Sequence, residues 1–139
     1  MKRVLFLCTG NSCRSIMAEG ILSRYGIGKY QTHSAGSFPT GKVHPMTLET
    51  LKANGIELGK PRSKSWDEFK DKQIDLLITV CDNAAGEVCP IFPGKPAKLH
   101  WNIPDPAHFE GTAAEIKEEF QCVFEMLEGC IKALVESNG

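Results

Sequence analysis

Val4-Leu5-Phe6-Leu7-Cys8-Thr9-Gly10-Asn11-Ser12-Cys13-Arg14-Ser15 is the stretch of sequence that decides the fold. Residues 3–7 form an apolar run, as expected for a strand that is buried on both faces in a parallel sheet. A loop of small polar residues follows, and after Arg14 the apolar residues recur at helical spacing as far as Tyr25, with Gly26 marking the end. The segment therefore predicts a strand, a loop and a helix in that order.

The rest of the chain alternates in the same way between short apolar runs and helical patterns. In the predicted helix that has Pro45 in its first turn and Gly55 at its end, Leu48 and Leu51 mark the buried side. The further predicted elements are strands at 30–35, 74–80 and 98–102, the helix just described and a long amphipathic helix at 113–136. Strands that alternate with helices predict an α/β fold with a parallel sheet and right-handed crossovers.

Composition limits the number of domains and the classes of partner. With 139 residues and 42% apolar composition, the chain fits one domain, residues 1–139. A formal net charge of -1 gives no basic field for nucleic acid or for an anionic membrane. No apolar run approaches the roughly 18 residues of a membrane span, and the apolar N-terminal stretch is too short for an export signal. We therefore expect a cytoplasmic protein with reduced thiols.

The loop from Cys8 to Ser15 has the composition of an oxyanion site. It follows a strand at the sheet edge where α/β proteins bind ligands, and its small residues allow backbone N–H groups to converge on an anion. Arg14 offers a planar fork that matches the edge of a tetrahedral oxyanion. The same positive field favours the thiolate of Cys8, and Ser15 is a candidate donor to it. The predicted binding residues are Thr9, Gly10, Asn11, Ser12, Cys13, Arg14 and Ser15, with Cys8 as the nucleophile.

A carboxylate that follows the fourth predicted strand is a candidate general acid. Asp105 lies between Pro104 and Pro106, and two prolines hold such a loop stiffly. An acid at the mouth of the oxyanion loop would protonate the oxygen that leaves as the nucleophile attacks. The alternative is an ordinary aspartate in a turn.

The remaining cysteines are divided by their positions. The segment from Cys81 to Cys89 begins where the third predicted strand ends, so both cysteines are expected on the same sheet edge as Cys8. This position permits a thiol–disulfide relay. The alternative is two buried structural cysteines. The chain has no C-x2-C pair, so we predict no zinc site and no bound metal. The other three thiols are predicted to be structural: Cys13, Cys122 and Cys130.

These motifs together resemble the low-molecular-weight protein tyrosine phosphatase superfamily, and within it the arsenate reductases. The resemblance rests on the Cys8–Ser15 loop and on several further segments: Met17-Ala18-Glu19-Gly20, Ser34-Ala35-Gly36, Thr79-Val80-Cys81, Cys89-Pro90, His100-Trp101 and Asp105-Pro106. It implies one three-layer domain with a four-stranded parallel sheet flanked by helices. It also implies Cys8 as nucleophile, Arg14 as oxyanion clamp and Asp105 as general acid, with no bound organic cofactor.

The resemblance also implies a purpose for the relay. In similar enzymes the nucleophile forms a thiol–arsenate adduct, a second cysteine expels arsenite, and a third passes the disulfide to thioredoxin; by position these are Cys8, Cys81 and Cys89. Seven residues separate the two later cysteines here, where thioredoxin-coupled members have six. Glutathione with glutaredoxin therefore stays open as the electron donor. We expect a monomer.

Two other functions use the same loop. A phosphatase acting on phosphotyrosine or small phosphoesters needs only Cys8, Arg14 and Asp105. Tyrosine phosphatases of this kind carry tyrosines just after the Asp-Pro pair, whereas Ala107-His108-Phe109 follows here, which favours the reductase. A non-catalytic anion sensor is the third possibility, and it has no need of a general acid.

One position beneath the loop carries a positive charge in this chain and a negative charge in some similar reductases. Some similar reductases bind potassium there through an asparagine, a glutamate, a serine and an aspartate; the first three match Asn11, Glu19 and Ser34. Lys64 takes the place of the aspartate in this chain. We expect its ammonium to reach Glu19 and to supply the charge that potassium supplies elsewhere, the alternative being a solvated surface lysine.

Overall fold

The computed structural model describes residues 2–59, 61–80 and 96–138. Within these ranges there are four strands and three α-helices, in the order β1 (Lys2–Cys8), α1 (Arg14–Tyr25), β2 (Tyr30–Gly36), α2 (Pro45–Ala53), β3 (Leu76–Thr79), β4 (Ala97–His100) and α3 (Ala113–Asn138). Two short 3-10 helices span Trp66–Phe69 and Pro106–His108. The predicted alternation of strands and helices is confirmed.

The four strands form one parallel sheet in the order β2-β1-β3-β4. Strand β1 is central, and the side chains of Val4 to Leu7 are completely buried. Successive side chains of a strand point to opposite faces, so both faces of β1 are covered. The predicted four-stranded parallel sheet flanked by helices is confirmed.

The last two strands along the chain, β3 and β4, are shorter than predicted. β3 spans four residues rather than 74–80, although Ile74 and Val80 at its flanks are buried. β4 begins at Ala97 and ends at His100, and all four of its residues are exposed. Since the periodicity of a sequence reports burial rather than pairing, apolar residues beside a strand are easily taken for part of it.

The long helix α3 packs its predicted apolar stripe against α1 and α2. Phe120, Val123, Leu127 and Ile131 are fully buried. Of the two cysteines on this helix that were predicted to be structural, Cys130 is half-buried and Cys122 is exposed, so burial does not support that role for Cys122. No helix in the described ranges has the length and apolar character needed to cross a bilayer.

Helix α2 buries a different face from the one predicted. Leu51 is buried, but Leu48 is 42% exposed, and Thr47 and Thr50 occupy the inner face instead. The prediction for Leu48 is wrong because a threonine is buried readily when its hydroxyl has a partner, and the Thr47 hydroxyl has one. Gly55 follows the helix with φ at 79°, as expected for a residue that ends one.

Candidate active site

The loop between β1 and α1 turns its backbone carbonyl groups outwards. Three of these carbonyls, in Thr9, Gly10 and Ser12, accept hydrogen bonds from other segments of the chain. The donors are Phe38 N to Thr9 O (3.0 Å), Thr40 N and Ser63 Oγ to Gly10 O (both 3.0 Å), and His44 N and Thr47 Oγ1 to Ser12 O (3.1 and 2.8 Å). The loop is therefore held from outside at three of its peptide units.

The outward carbonyls determine where the amide hydrogens of the loop point. The described peptide bonds are all trans, and in a trans peptide the C=O and the following N–H point in opposite directions. The N–H groups of Gly10, Asn11 and Cys13 are thus directed to the inner side of the loop. Convergent N–H groups at the start of a helix form an anion-binding site.

Asn11 shapes the loop from within. Its φ of 47° lies in the left-handed region, which asparagine tolerates better than most residues, and its side chain is fully buried. The side-chain amide donates to Ser15 Oγ at 2.8 Å, and its oxygen accepts from Lys64 N at 2.8 Å. In its bond with Asn11, Ser15 Oγ is the acceptor, so the Ser15 hydroxyl hydrogen can still be donated. A bond from this hydroxyl to Cys8 stays a prediction.

A cleft of about 320 Å³ opens above the loop. Cys8, at the carboxyl end of β1, is 4% exposed and lies on the wall of this cleft. The structure brings the predicted residues together there: Cys8, Thr9, Gly10, Ser12, Cys13, Arg14 and Asp105 all line the cleft, with Phe38, Thr40 and Ala107. Asn11 and Ser15 are buried behind the loop as supports.

Arg14 joins the oxyanion loop to the segment that carries the candidate acid. Its Nη1 donates to Ile103 O at 3.0 Å, and its Nη2 lies 3.4 Å from Asp105 Oδ2. Its Nε–H is buried and has no hydrogen-bond partner among the described residues. A buried donor without a partner is costly, so the edge formed by Nε and Nη2 is suited to two oxygens of a bound anion.

Asp105 is held at the mouth of the cleft in a defined orientation. Its Oδ1 accepts from Ala107 N at 2.9 Å, which caps the short helix Pro106–His108. Its other oxygen faces Arg14, and the side chain is 23% exposed. This arrangement is one that a general acid requires, with a fixed carboxyl group beside the anion site and access to solvent.

The residues beneath the loop form a chain of hydrogen bonds. Lys64 Nζ donates to Ser34 Oγ at 3.4 Å, and Ser34 Oγ donates to Glu19 Oε1 at 2.6 Å. Burial raises the pKa of Glu19, an effect that the Ser34 hydrogen bond and the charge of Lys64 oppose. Burial likewise lowers the pKa of Lys64, and Glu19 opposes that shift. Lys64 thus reaches Glu19 through Ser34 rather than directly, and its half-buried side chain does not fit the alternative of a solvated surface lysine.

A potassium ion does not fit this set of residues. The Lys64 ammonium is itself a cation, and it already bonds the Ser34 hydroxyl that a metal ion would need as a ligand. Its remaining contact is with Arg62 O at 3.2 Å. A potassium ion bound at Ser34 and Glu19 would lie beside the Lys64 ammonium, and the two positive charges would repel each other in this partly buried site.

Cys13 and the start of α2 are also explained by their contacts. Burial raises the pKa of the Cys13 thiol, so Cys13 stays protonated and packed, as predicted. His44 caps α2, because its Nδ1 accepts from Met46 N, and the Thr47 hydroxyl donates to Ser12 O in the loop. The Pro45 that follows His44 was the available signal for this helix start, but nothing local points to Thr47.

Cys81 and Cys89 lie outside the described residues. The last described residue before Cys81 is Val80, whose N–H donates to Leu7 O at 2.9 Å beside the end of β1.

Known proteins with the same fold include both reductases and phosphatases. The model of the low molecular weight phosphotyrosine protein phosphatase family matches residues 3–138. An arsenate reductase of Halalkalibacterium halodurans is 38% identical over 137 residues, which is 99% of this chain and 97% of the relative.

Solved structures agree with this relationship. An arsenate reductase in the phosphate binding state is 27% identical, with a TM-score of 0.77 and coverage of 99% and 98% of the two chains. A low molecular weight protein tyrosine phosphatase from T. tengcongensis is 30% identical, with a TM-score of 0.79 and 99% coverage of both chains. A thioredoxin-dependent arsenate reductase of Corynebacterium glutamicum is 31% identical, with a TM-score of 0.65. The match covers 96% of this chain and 63% of the Corynebacterium chain. With its family match spanning almost every residue, this chain belongs to the low molecular weight phosphotyrosine protein phosphatase family.

Proposed function

We propose that this chain reduces arsenate to arsenite, with Cys8 as the nucleophile and an external thiol as the source of electrons. The observation that carries the proposal is the buried Arg14 Nε–H, which lacks a partner among the described residues and belongs to a side chain that lines the same cleft as Cys8. A tetrahedral oxyanion would satisfy both this donor and the inward N–H groups of the loop. The arsenate reductases of similar sequence and structure support arsenate as that oxyanion.

The first step forms a thiol–arsenate adduct. The Cys8 thiolate attacks arsenic, and an arsenate hydroxyl leaves as water after taking a proton from Asp105. Arg14 and the Ala107 N–H hold the Asp105 carboxyl group beside the site, and its protonated form is the one that serves as the acid in this step. The adduct remains anionic, so the loop N–H groups and Arg14 continue to hold it.

The second step reduces arsenic. The thiolate of Cys81 attacks Cys8 Sγ, the sulfur–arsenic bond breaks, and its electron pair stays on arsenic, so that As(V) becomes As(III) and arsenite leaves. Cys89 then attacks Cys81 in the new disulfide, which releases the Cys8 thiolate. The resulting Cys81–Cys89 disulfide takes two electrons from thioredoxin, or from glutathione with glutaredoxin. The thioredoxin-dependent relative supports the first donor.

The proposed chemistry places the enzyme in a reducing compartment. Thioredoxin and glutathione keep thiols reduced in the cytoplasm, where we expect this chain to act. No bound organic cofactor takes part in either step. We also propose that the enzyme acts as a monomer.

Arsenite production tests the proposal. Purified protein is given arsenate with either thioredoxin, thioredoxin reductase and NADPH, or glutathione and glutaredoxin. We expect one of the two donors to sustain many turnovers. Cys8→Ser serves as the matched control and should fall below about a tenth of the native rate, because an alcohol is far less ionised than a thiol. Arsenite formed by neither donor would contradict the proposal.

Phosphatase action on phosphotyrosine or small phosphoesters is the second candidate function. It needs only Cys8, Arg14 and Asp105, all of which line the cleft. Phe38 at the rim of the cleft is 73% exposed, a position in which it would contact an aryl group on a bound phosphate. Comparison of kcat/KM for an aryl phosphate with kcat/KM for arsenate, both measured on the same preparation, shows which of the two functions dominates.

A further inference from the structure

The first turn of α2 holds the oxyanion loop at a single carbonyl group. Ser12 O accepts from two donors, His44 N at 3.1 Å and Thr47 Oγ1 at 2.8 Å. Thr47 is completely buried, although it is 35 residues from Ser12 in the sequence. The His44 side chain caps the same helix turn through Met46 N. The two donors are thus attached to a rigid helix start rather than to a loose loop.

The orientation of this carbonyl decides the orientation of one anion-binding donor. In the trans peptide that joins Ser12 to Cys13, an outward C=O places the Cys13 N–H on the inner side of the loop. The next residue is Arg14, the proposed clamp. A rotation of this one peptide would therefore withdraw an N–H group and displace the base of the Arg14 side chain.

Thr47 also lies close to the residue on the other side of this peptide. Burial raises the pKa of the Cys13 thiol, and the nearby Thr47 hydroxyl opposes that shift. The hydrogen bond from Thr47 Oγ1 to Ser12 O at 2.8 Å is what ties Thr47 to the peptide.

We propose that Thr47 is a positioning residue for the oxyanion site, acting through the Ser12–Cys13 peptide. The proposal rests on the proposed binding of an oxyanion but not on arsenate reduction. Among the described donors, removal of the Thr47 hydroxyl leaves Ser12 O with the His44 N–H, so the peptide is less firmly oriented. Because Thr47 does not line the cleft, its effect on the anion is indirect.

Phosphate binding to three variants tests the proposal, with inorganic phosphate as the probe and calorimetry as the measurement. Thr47→Val keeps the shape of the side chain and removes the hydroxyl, and it should weaken phosphate binding roughly 3- to 10-fold, as expected for one lost neutral hydrogen bond. Thr47→Ser restores the hydroxyl and should bind within about twofold of the native protein. Thr50→Val is the matched control, since Thr50 is buried on the same helix but does not line the cleft.

A purely structural role for Thr47 gives a different pattern. In that case Thr47→Val and Thr50→Val would both lower the melting temperature and leave phosphate affinity unchanged, which would overturn the proposal. Equal weakening by Thr47→Ser and Thr47→Val would also overturn it, because the hydroxyl would then be irrelevant. Failure of the native protein to bind phosphate would instead overturn the proposed function, and this inference with it.

Discussion

Arg14 has two tasks for one guanidinium group. One edge is directed to the acid segment, through Ile103 O and Asp105 Oδ2, while the Nε–H remains for the anion. Lysine offers a point charge and cannot reproduce a planar fork. We therefore expect Arg14→Lys to lower kcat/KM for arsenate by about 10²-fold or more, the usual cost of one lost oxyanion donor. Near-native kinetics in Arg14→Lys would show that the fork is dispensable.

Asp105 acts on the leaving oxygen, so its importance depends on the leaving group. Asp105→Asn should lower the rate of aryl phosphate hydrolysis roughly 10²–10⁴-fold for poor leaving groups, the usual contribution of a positioned acid. Phenols of low pKa leave without a proton and should be affected less. A series of substituted aryl phosphates measures this dependence. An equal loss across the series would mean that Asp105 is structural, through its contacts with Arg14 and Ala107 N.

Lys64 supplies a positive charge beneath the loop through Ser34 and Glu19. We expect activity of the native protein to be independent of potassium when sodium replaces it at constant ionic strength. Lys64→Asp removes the ammonium and adds a carboxylate, so this variant should lose activity and regain part of it when potassium is added. Turnover of both proteins, measured across a potassium titration, tests both expectations. Potassium stimulation of the native protein, or an indifferent Lys64→Asp, would contradict the prediction.

At the scale of elements, β2 must end very close to the oxyanion loop. A β-carbon on Gly36 would lie 2.5 Å from Thr9 O and 3.0 Å from both Cys8 O and Asn11 Cβ, closer than packed atoms allow. Gly36→Ala should therefore shift the loop, lower activity and destabilise the protein by about 1–3 kcal/mol, as overpacking does. Gly129→Ala is the matched control, because it meets open space within α3 and should stabilise by roughly 0.5–1 kcal/mol. Urea unfolding of both variants gives the comparison; an unaffected Gly36→Ala would show that the loop adapts.

At the scale of the whole molecule, the sequence predicted what repeats along the chain or is contiguous in it. The sheet, the Cys8–Arg14 loop and the long helix follow from apolar periodicity and from one local motif. Thr47 could not be predicted, because its hydroxyl finds Ser12 only after α2 has packed beside the loop. The same holds for the bond from Arg14 to Ile103 O, which joins residues 89 positions apart. Long-range hydrogen bonds have no local period, so they appear only in the folded chain.

The parallel sheet also explains why distant cysteines are candidates for one relay. β1 and β3 are neighbours with Leu7 opposite Thr79, so Cys8 and Val80 lie at the same edge of the sheet. The proposed relay is needed only to release arsenite and regenerate Cys8. We therefore expect Cys81→Ser and Cys89→Ser to lose multiple-turnover arsenate reduction while both retain hydrolysis of an aryl phosphate. Cys122→Ser is the matched control, since Cys122 is exposed on α3, and it should keep both activities.

Mass mapping after turnover should find a Cys81–Cys89 disulfide in the native protein. Glutathione attached to Cys8 or Cys81, without that disulfide, would contradict the three-cysteine relay and favour glutathione with glutaredoxin as the reductant.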